Sequence, residues 1–137
     1  MQIVAGNGKD TVVAGSGPQT ITAGASGPTA IFAGSGSDTI LLGGGYDFVL
    51  CGQGHATTYG GAGPDLYGFA NGAGGTEVIA GFHAGTDQLQ LIGYTAGTAE
   101  TAVAEQIDAG GNTTVTLTDN TSITLLGVAS VGAGAFV

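Results

Sequence analysis

An apolar or β-branched residue returns at close to every ninth position through the first half of the chain: Val12, Ile21, Ile31, Ile40, Val49, Thr58 and Tyr67. Its neighbours on either side are mixed, as in Thr11 and Val13, Thr20 and Thr22, or Phe48 and Leu50. Successive residues of a strand point to opposite faces, so the recurring column looks inward and its two neighbours look out. The runs are too short to carry a helical stripe. The pattern predicts very short strands stacked one upon another and joined by turns.

The turns are marked by glycine. Seven copies of a nine-residue unit begin at Ala5, Ala14, Ala23, Ala33, Leu42, Cys51 and Gly60. Each keeps a glycine at its second place (Gly6, Gly15, Gly24, Gly34, Gly43, Gly52, Gly61) and another to close the turn (Gly8, Gly17, Gly27, Gly36, Gly45, Gly54, Gly63). One inserted residue near Ser26 keeps the third copy in step. A glycine pair held at one spacing predicts the same tight turn in every copy, of the kind that uses positive φ.

The unit resembles the G-G-x-G-x-D-x-U-x nonapeptide of the RTX (repeats-in-toxin) family, a calcium-binding parallel β-helix repeat. The resemblance covers roughly residues 2 to 90. It implies an all-β, right-handed parallel β-roll in which each nonapeptide makes half a turn, with calcium held between turns stacked on the same side. The phrase from Phe82 to Leu91 also resembles F-x-x-G-x-D-x-L-x-L, which closes many rolls of this family.

Calcium asks for hard oxygen ligands, and the unit offers a carboxylate at its sixth place beside several turn carbonyls. That place reads Asp10, Gln19, Thr29, Asp38, Asp47, Ala56 and Asp65. If copies two apart stack, Asp47 and Asp65 face one another across an ion, with carbonyls from Gly43, Gly45, Gly61 and Gly63. Asp10 then meets Thr29, and Asp38 stands between Gln19 and Ala56. An eighth copy, Asn71–Ile79, places Thr76 at the ligand position and Val78 inward. A ninth, Ala80–Leu91, brings Asp87 onto the row of Asp47 and Asp65 as a second site. The expected metal residues are thus Asp47, Asp65 and Asp87, with Asp38 and Asp10 as more isolated acids. Asp also caps turns without any metal, which is the competing reading of the same row.

After Ile92 the nine-residue rhythm stops. Residues 98–107 carry helix formers and predict a short helix. Gly110-Gly111 leads into a strand over 113–118, Asp119-Asn120 supplies a turn, and 122–126 returns as the second strand of an antiparallel hairpin. An open stack exposes unpaired backbone, so a cap over 92–137 is physically required. This region resembles the segment that caps RTX rolls. The apolar end, Ala135-Phe136-Val137, is read either as part of a C-terminal type I secretion signal or as a packed terminus. At the other end, Gln2-Ile3-Val4 fits the last three places of a unit without its turn. It points to a piece of a larger protein or to a minimal stand-alone roll.

Composition narrows the function classes. Ten acidic residues face one Lys9 and no arginine, for a formal charge of -9, which disfavours nucleic acid or an anionic lipid surface as partner. The chain is 42% hydrophobic and only 8% charged, against the composition of a disordered acidic tail. Its 137 residues fit one domain, and no apolar run approaches a membrane span. The lone Cys51 reads as a small buried residue. His55 and His83 have no companions at zinc spacing. No nucleophile, zinc-protease or phosphate-loop motif occurs, so the chain is expected not to be an enzyme.

Taken with the resemblance, these features predict a secreted extracellular module that crosses a type I exporter as a loose chain and folds on calcium outside. The alternative is a surface-binding module. Thr20, Thr39 and Thr57 align beside Thr22, Leu41 and Tyr59, a flat row suited to ice, a glycan or another regular surface. Thr11, Val13, Ala30, Phe32, Phe48, Leu50, Leu66 and Gly68 form an apolar strip on the other side, suited to a protein partner or to the cap.

Overall fold

The computed structural model describes all residues, Met1–Val137. Ten short strands alternate between two sheets as the chain advances: β1 (Gln2–Val4), β2 (Asp10–Val13), β3 (Thr20–Thr22), β4 (Thr29–Phe32), β5 (Ser37–Leu41), β6 (Phe48–Cys51), β7 (His55–Tyr59), β8 (Leu66–Ala70), β9 (Thr76–Ala80) and β10 (Gln88–Ile92). The odd strands stack in parallel in one sheet and the even strands in the other, which makes a parallel β-solenoid of about five turns. Every pairing joins units two apart, as in Phe48 with Leu66 and Thr39 with Thr57. Thus the chain coils once in each pair of nonapeptides.

The predicted inward column lies inside. Ile21, Ile31, Ile40, Val49, Thr58 and Tyr67 are all fully buried, and Val12 nearly so. Between two sheets only one residue deep, this column and its neighbours make a single core that continues into the cap.

The glycine turns are kept for a different reason from the one expected. Of the fourteen repeat glycines only Gly34 has positive φ. What the nine others beyond the first coil supply is close approach, whereas Gly6, Gly8, Gly15 and Gly17 meet no backbone of another coil. A Cβ on Gly61 would lie 1.7 Å from the carbonyl oxygen of Gly43, and one on Gly52 would lie 1.6 Å from that of Gly34. Coils two units apart rest directly on one another's backbone, so no side chain fits between the stacked turns.

The cap uses both sheets. Helix α1 (Thr98–Ala104) is followed by β11 (Ile107–Ala109), β12 (Asn112–Thr116) and β13 (Ser122–Leu126). Strand β13 adds in parallel to β9, and β12 and β11 follow antiparallel. The helix is therefore shorter than the sequence suggested, because Ile107 belongs to a strand that turns at Gly110 and Gly111, both of positive φ. The other sheet is closed by the chain end: Val137 N–H donates to the Leu89 carbonyl at 2.8 Å, and the Phe136 ring is buried.

The eighth unit is displaced by one residue from its expected place. Glu77, and not Thr76, pairs with Ala56, and Ile79, and not Val78, is the fully buried inward residue. Gly72 and Gly74, both of positive φ, loop out one more residue than the spacing suggested.

Candidate metal centre

The turns form two rows, one leading into each sheet. The first carries Asp10, Thr29, Asp47, Asp65 and Asp87, and the second carries Gln19, Asp38, Ala56 and Glu77. Sequence reasoning placed every member except Glu77. Its signal was present, since Glu77 precedes an inward isoleucine by two just as Asp38 precedes Ile40.

In the first row the aspartates make a ladder. The Oδ1 of Asp47 accepts from Thr29 N–H at 2.8 Å, that of Asp65 from Asp47 N–H at 3.3 Å, and that of Asp87 from Asp65 N–H at 2.9 Å. Each Oδ2 accepts from the N–H four residues back, on Gly43 at 3.2 Å, Gly61 at 3.1 Å and His83 at 2.8 Å. All three carboxylates are buried. Gly43 and Gly61 thus donate their amides to the ladder, and the carbonyl of Gly43 lies directly under Gly61. Gly63 likewise lies over the carbonyl of Gly45.

Charge in this row is poorly balanced. Lys9, the only basic side chain besides the histidines, is exposed in the first coil. His83 places Nδ1 3.6 Å from Asp87 Oδ2, a neighbour that its sequence spacing had not suggested. Burial pushes the Asp65 carboxyl up to about 6 against the opposing hydrogen bond from Gly61, and repulsion by Asp87 and Asp47 adds to the rise. Buried negative charge of this kind is costly unless a cation or a proton answers it.

Unpaired oxygens fall at the same repeat position but on other coils, since both oxygens of Asp47, Asp65 and Asp87 already accept from N–H groups. Asp10 Oδ2, Gln19 Oε1, Thr29 Oγ1 and Glu77 Oε2 are buried without a hydrogen-bond partner, and all four belong to the sixth position of a unit. The remaining one is the Tyr67 hydroxyl. Buried acceptors normally find donors, so a concentration of unmet oxygens at one repeat position suits a hard cation. No three His, Cys, Asp or Glu side chains converge on a point. An ion here would therefore draw on glycine carbonyls together with one or two carboxylates, a donor set that fits calcium.

The second row is sparser. Gln19 N–H donates to Asp38 Oδ1 at 3.1 Å, and burial raises the Asp38 carboxyl despite that bond. Ala56 contributes no oxygen. Glu77 is buried between Ala56 on one side and Ile123 of the cap on the other.

No protein-family model and no curated protein sequence matches the chain. Among solved structures, the crystal structure of extracellular lipase LipA from Serratia marcescens is similar over 96% of this chain, at 13% identity and a TM-score of 0.48. The similar part is 38% of that lipase chain, so this chain spans well under half of its length.

Proposed function

We propose that the chain is a non-catalytic, RTX-like calcium-binding roll that folds outside the cell and supports type I export of the protein to which it belongs. The observation that carries this reading is the row of Asp47, Asp65 and Asp87, buried on successive coils with glycine carbonyls between them and no lysine or arginine beside them, only the exposed His83 imidazole reaching Asp87. In the proposed sites Asp47 and Asp65 serve one ion and Asp65 and Asp87 the next, with Gly43, Gly45, Gly61 and Gly63 giving carbonyl oxygens. Asp10 with Thr29 is a weaker place at the start of the row.

Energetics supply the coupling to folding. Twenty-nine glycines make the unfolded chain unusually free, and each costs about 0.5–1 kcal/mol more than alanine to order in regular structure. A ligand that binds only the folded roll offsets this by about 2.7 kcal/mol per site at a hundredfold excess over its dissociation constant. Extracellular calcium modules bind at about 0.1–1 mM, so such sites stay empty in the cytosol and fill outside.

Circular dichroism in calcium and in excess EGTA tests the reading. A large calcium-dependent gain in β-signal and melting temperature is expected. An identical spectrum and melt in EGTA would end it.

The surface-binding alternative has one observation in its favour. The outward row of Thr20, Thr39 and Thr57 continues in register through Val78 to Thr124 and Thr114, so it runs unbroken from the roll into the cap. Ice shaping or glycan binding that depends on Thr39 and Thr57 would support it, and inactivity of the wild type would dispose of it.

A further inference from the structure

The first coil of the roll keeps features that nothing within the chain uses. Beyond it, every repeat glycine turns its bare side to the coil before its own: a Cβ on Gly24 would lie 1.7 Å from the Gly6 carbonyl oxygen, and one on Gly36 would lie 2.2 Å from that of Gly17. Gly6, Gly8, Gly15 and Gly17 hold the same places at the open end. None of them has positive φ, and a Cβ on Gly8 or Gly17 would meet nothing within 4 Å. The sequence thus keeps room here for a backbone that the chain itself does not supply.

Polar groups of the same coil agree with the glycines. Sixth-place acids reach back one coil, Asp38 to the Gln19 N–H and Asp47 to that of Thr29. Asp10 and Gln19 hold this place in the first turn of each row and have no earlier coil to reach. Gln19 is 6% exposed with Oε1 unpartnered, and Asp10 Oδ2 is likewise buried without a partner. Strands β1 and β2 are each paired along one edge only. Because Asp10 and Ala14 donate to Pro28 and Phe32, the backbone groups of Thr11 and Val13 turn to the open side.

Side chains complete the face. Met1, Val13 and Val4 are the most exposed large apolar residues of the molecule, and Ile3 is only half-buried where Ile21 beside it is covered completely. Lys9 and Asp10 are the only charged side chains before Asp38, so the whole net charge of -9 lies further along the chain. Two copies can approach by this end without the repulsion that the rest of the chain brings.

We infer that the open first coil is an interface between two copies of this chain, stacked head to head about a twofold axis. A second first coil supplies what these features ask for: bare backbone at both turns, free N–H and C=O groups along two strands, apolar side chains and no net charge. Strand directions oppose across such an axis, so the pairing there is antiparallel. The far end does not offer the same surface, because β13 lies on β9 and Val137 on β10, which leaves the short β11 as the free edge. Assembly therefore closes at the dimer and does not grow into a filament. Nothing in this interface depends on calcium.

Sedimentation velocity of the full chain in calcium, over a wide range of concentration, tests it with the wild type, Val13→Lys, Ile107→Lys and the double variant Gly8→Ala, Gly17→Ala. The wild type is expected to pass from monomer to dimer and no further. Val13→Lys should stay monomeric, whereas Ile107→Lys, on β11, should dimerise as the wild type does. The glycine double variant should lose the dimer, yet in dilute protein, where the copies are apart, its melt should show no loss. Amide protection at Val4, Thr11 and Val13 of the wild type should rise with concentration. A wild type that is monomeric throughout, a mass beyond the dimer, or a dimer that Val13→Lys does not weaken would overturn the interface and leave the first coil to a different partner.

Discussion

In the first turn row an aspartate stands on three successive coils, and each of its oxygens takes a backbone N–H. In the second row, Asp38 and Glu77 flank an alanine, and one oxygen of the glutamate takes nothing. The backbone beneath the two rows is the same: strands pair in parallel two units apart, and stacked glycines meet carbonyls at similar separations. The comparison teaches that the glycines set the coil, whereas the sixth-place residues set only what the coil can hold. A repeat can therefore lose its acid without losing its shape.

The largest effect expected from this division falls on the glycines, and it should be equal in the two rows. Gly61→Ala in the first and Gly52→Ala in the second would each drive a Cβ into a carbonyl oxygen of the coil below. A backbone atom cannot swing aside, so each should cost about 3 kcal/mol or more, enough to unfold a marginal domain. By contrast Gly8 and Gly17 face open space. Alanine there should be neutral or stabilising by up to about 1 kcal/mol. Thermal melts of the four variants in calcium check this. A tolerated Gly52→Ala beside a lethal Gly61→Ala would mean that the two rows do not share one backbone.

The next effect separates the rows by chemistry. Asp65 accepts from Asp47 and Gly61 and faces acids on both adjoining coils. Asp65→Asn should abolish most of the rise in melting temperature that calcium produces, and an undiminished rise would remove the first-row assignment. In EGTA the same substitution should change the melt much less, because deleting an unbalanced buried charge is offset by the backbone N–H of Asp47 or Gly61 that the amide leaves without an acceptor. The pH dependence has the matching sign. The Asp65 carboxyl is raised from 3.8 to about 6 in the fold, so its contribution to metal-free stability is fully present below about pH 4. It is lost as pH rises through about 6. Glu77 acts in the same direction from 4.5 up to about 7. The chelated protein should consequently melt higher at pH 4 than at pH 7.5. Chelated protein that melts higher at pH 7.5 would contradict the burial of these acids.

A smaller effect tests the inward column beside the second row. Every other roll residue at the place of Thr58 is apolar or aromatic, from Val12 to Tyr67. Thr58→Val has nearly the same shape and removes the hydroxyl that Glu77 Oε1 accepts from. Leaving a buried carboxyl with neither oxygen paired should cost about 1–3 kcal/mol in denaturant unfolding. The corresponding change in the other sheet, Val49→Thr, adds a hydroxyl where no acid waits, and it should be destabilising for the opposite reason. A neutral Thr58→Val would show that the hydroxyl does not serve the glutamate.

How much of this was legible in the sequence follows from what repeats and what does not. Strand stacking two units apart and the inward column from Val12 to Tyr67 were visible, because the period of nine exposes them directly. The meeting of Asp47 and Asp65 was visible as well, because eighteen residues make one coil, whereas Asp87, 22 residues after Asp65, was placed by allowing inserted residues and by the phrase from Phe82 to Leu91. Glu77 was misplaced because an insertion at Asn71–Gly75 breaks the count, and insertion length is not written in hydrophobic pattern. Why the glycines recur was misread, since close approach between coils and positive φ leave the same mark in one dimension. In the cap, β11 and the seating of Phe136 on β10 depend on pairings with distant strands, which local composition does not report.

The last comparison sets roll against cap, and it turns on Asp119. This carboxylate sits in the β12–β13 turn, where it accepts from the N–H of Thr121 at 3.1 Å and of Gly72 at 2.8 Å. The second bond ties the cap to the loop that displaces Glu77 into register. Partial burial acts to raise this carboxyl, but the hydrogen bonds from Thr121, Tyr94 and Gly72 outweigh it and bring it down to about 2. A lowered carboxyl contributes stability above its unfolded value, near 3.8, and loses it as pH falls toward 2. Asp119 and Asp65 therefore oppose one another as the solution is acidified, and the metal-free roll should gain stability before the cap begins to let go. Asp119 is largely accessible to solvent, so Asp119→Asn should cost only about 1 kcal/mol or less at neutral pH. Hydrogen exchange would locate the loss. Protection should fall first at Gly72 and in β13, with β6 and β8 unchanged, because the aspartate ladder does not pass through the cap. Equal loss throughout would mean that cap and roll unfold as one unit, and that the cap stabilises every coil rather than the last one alone.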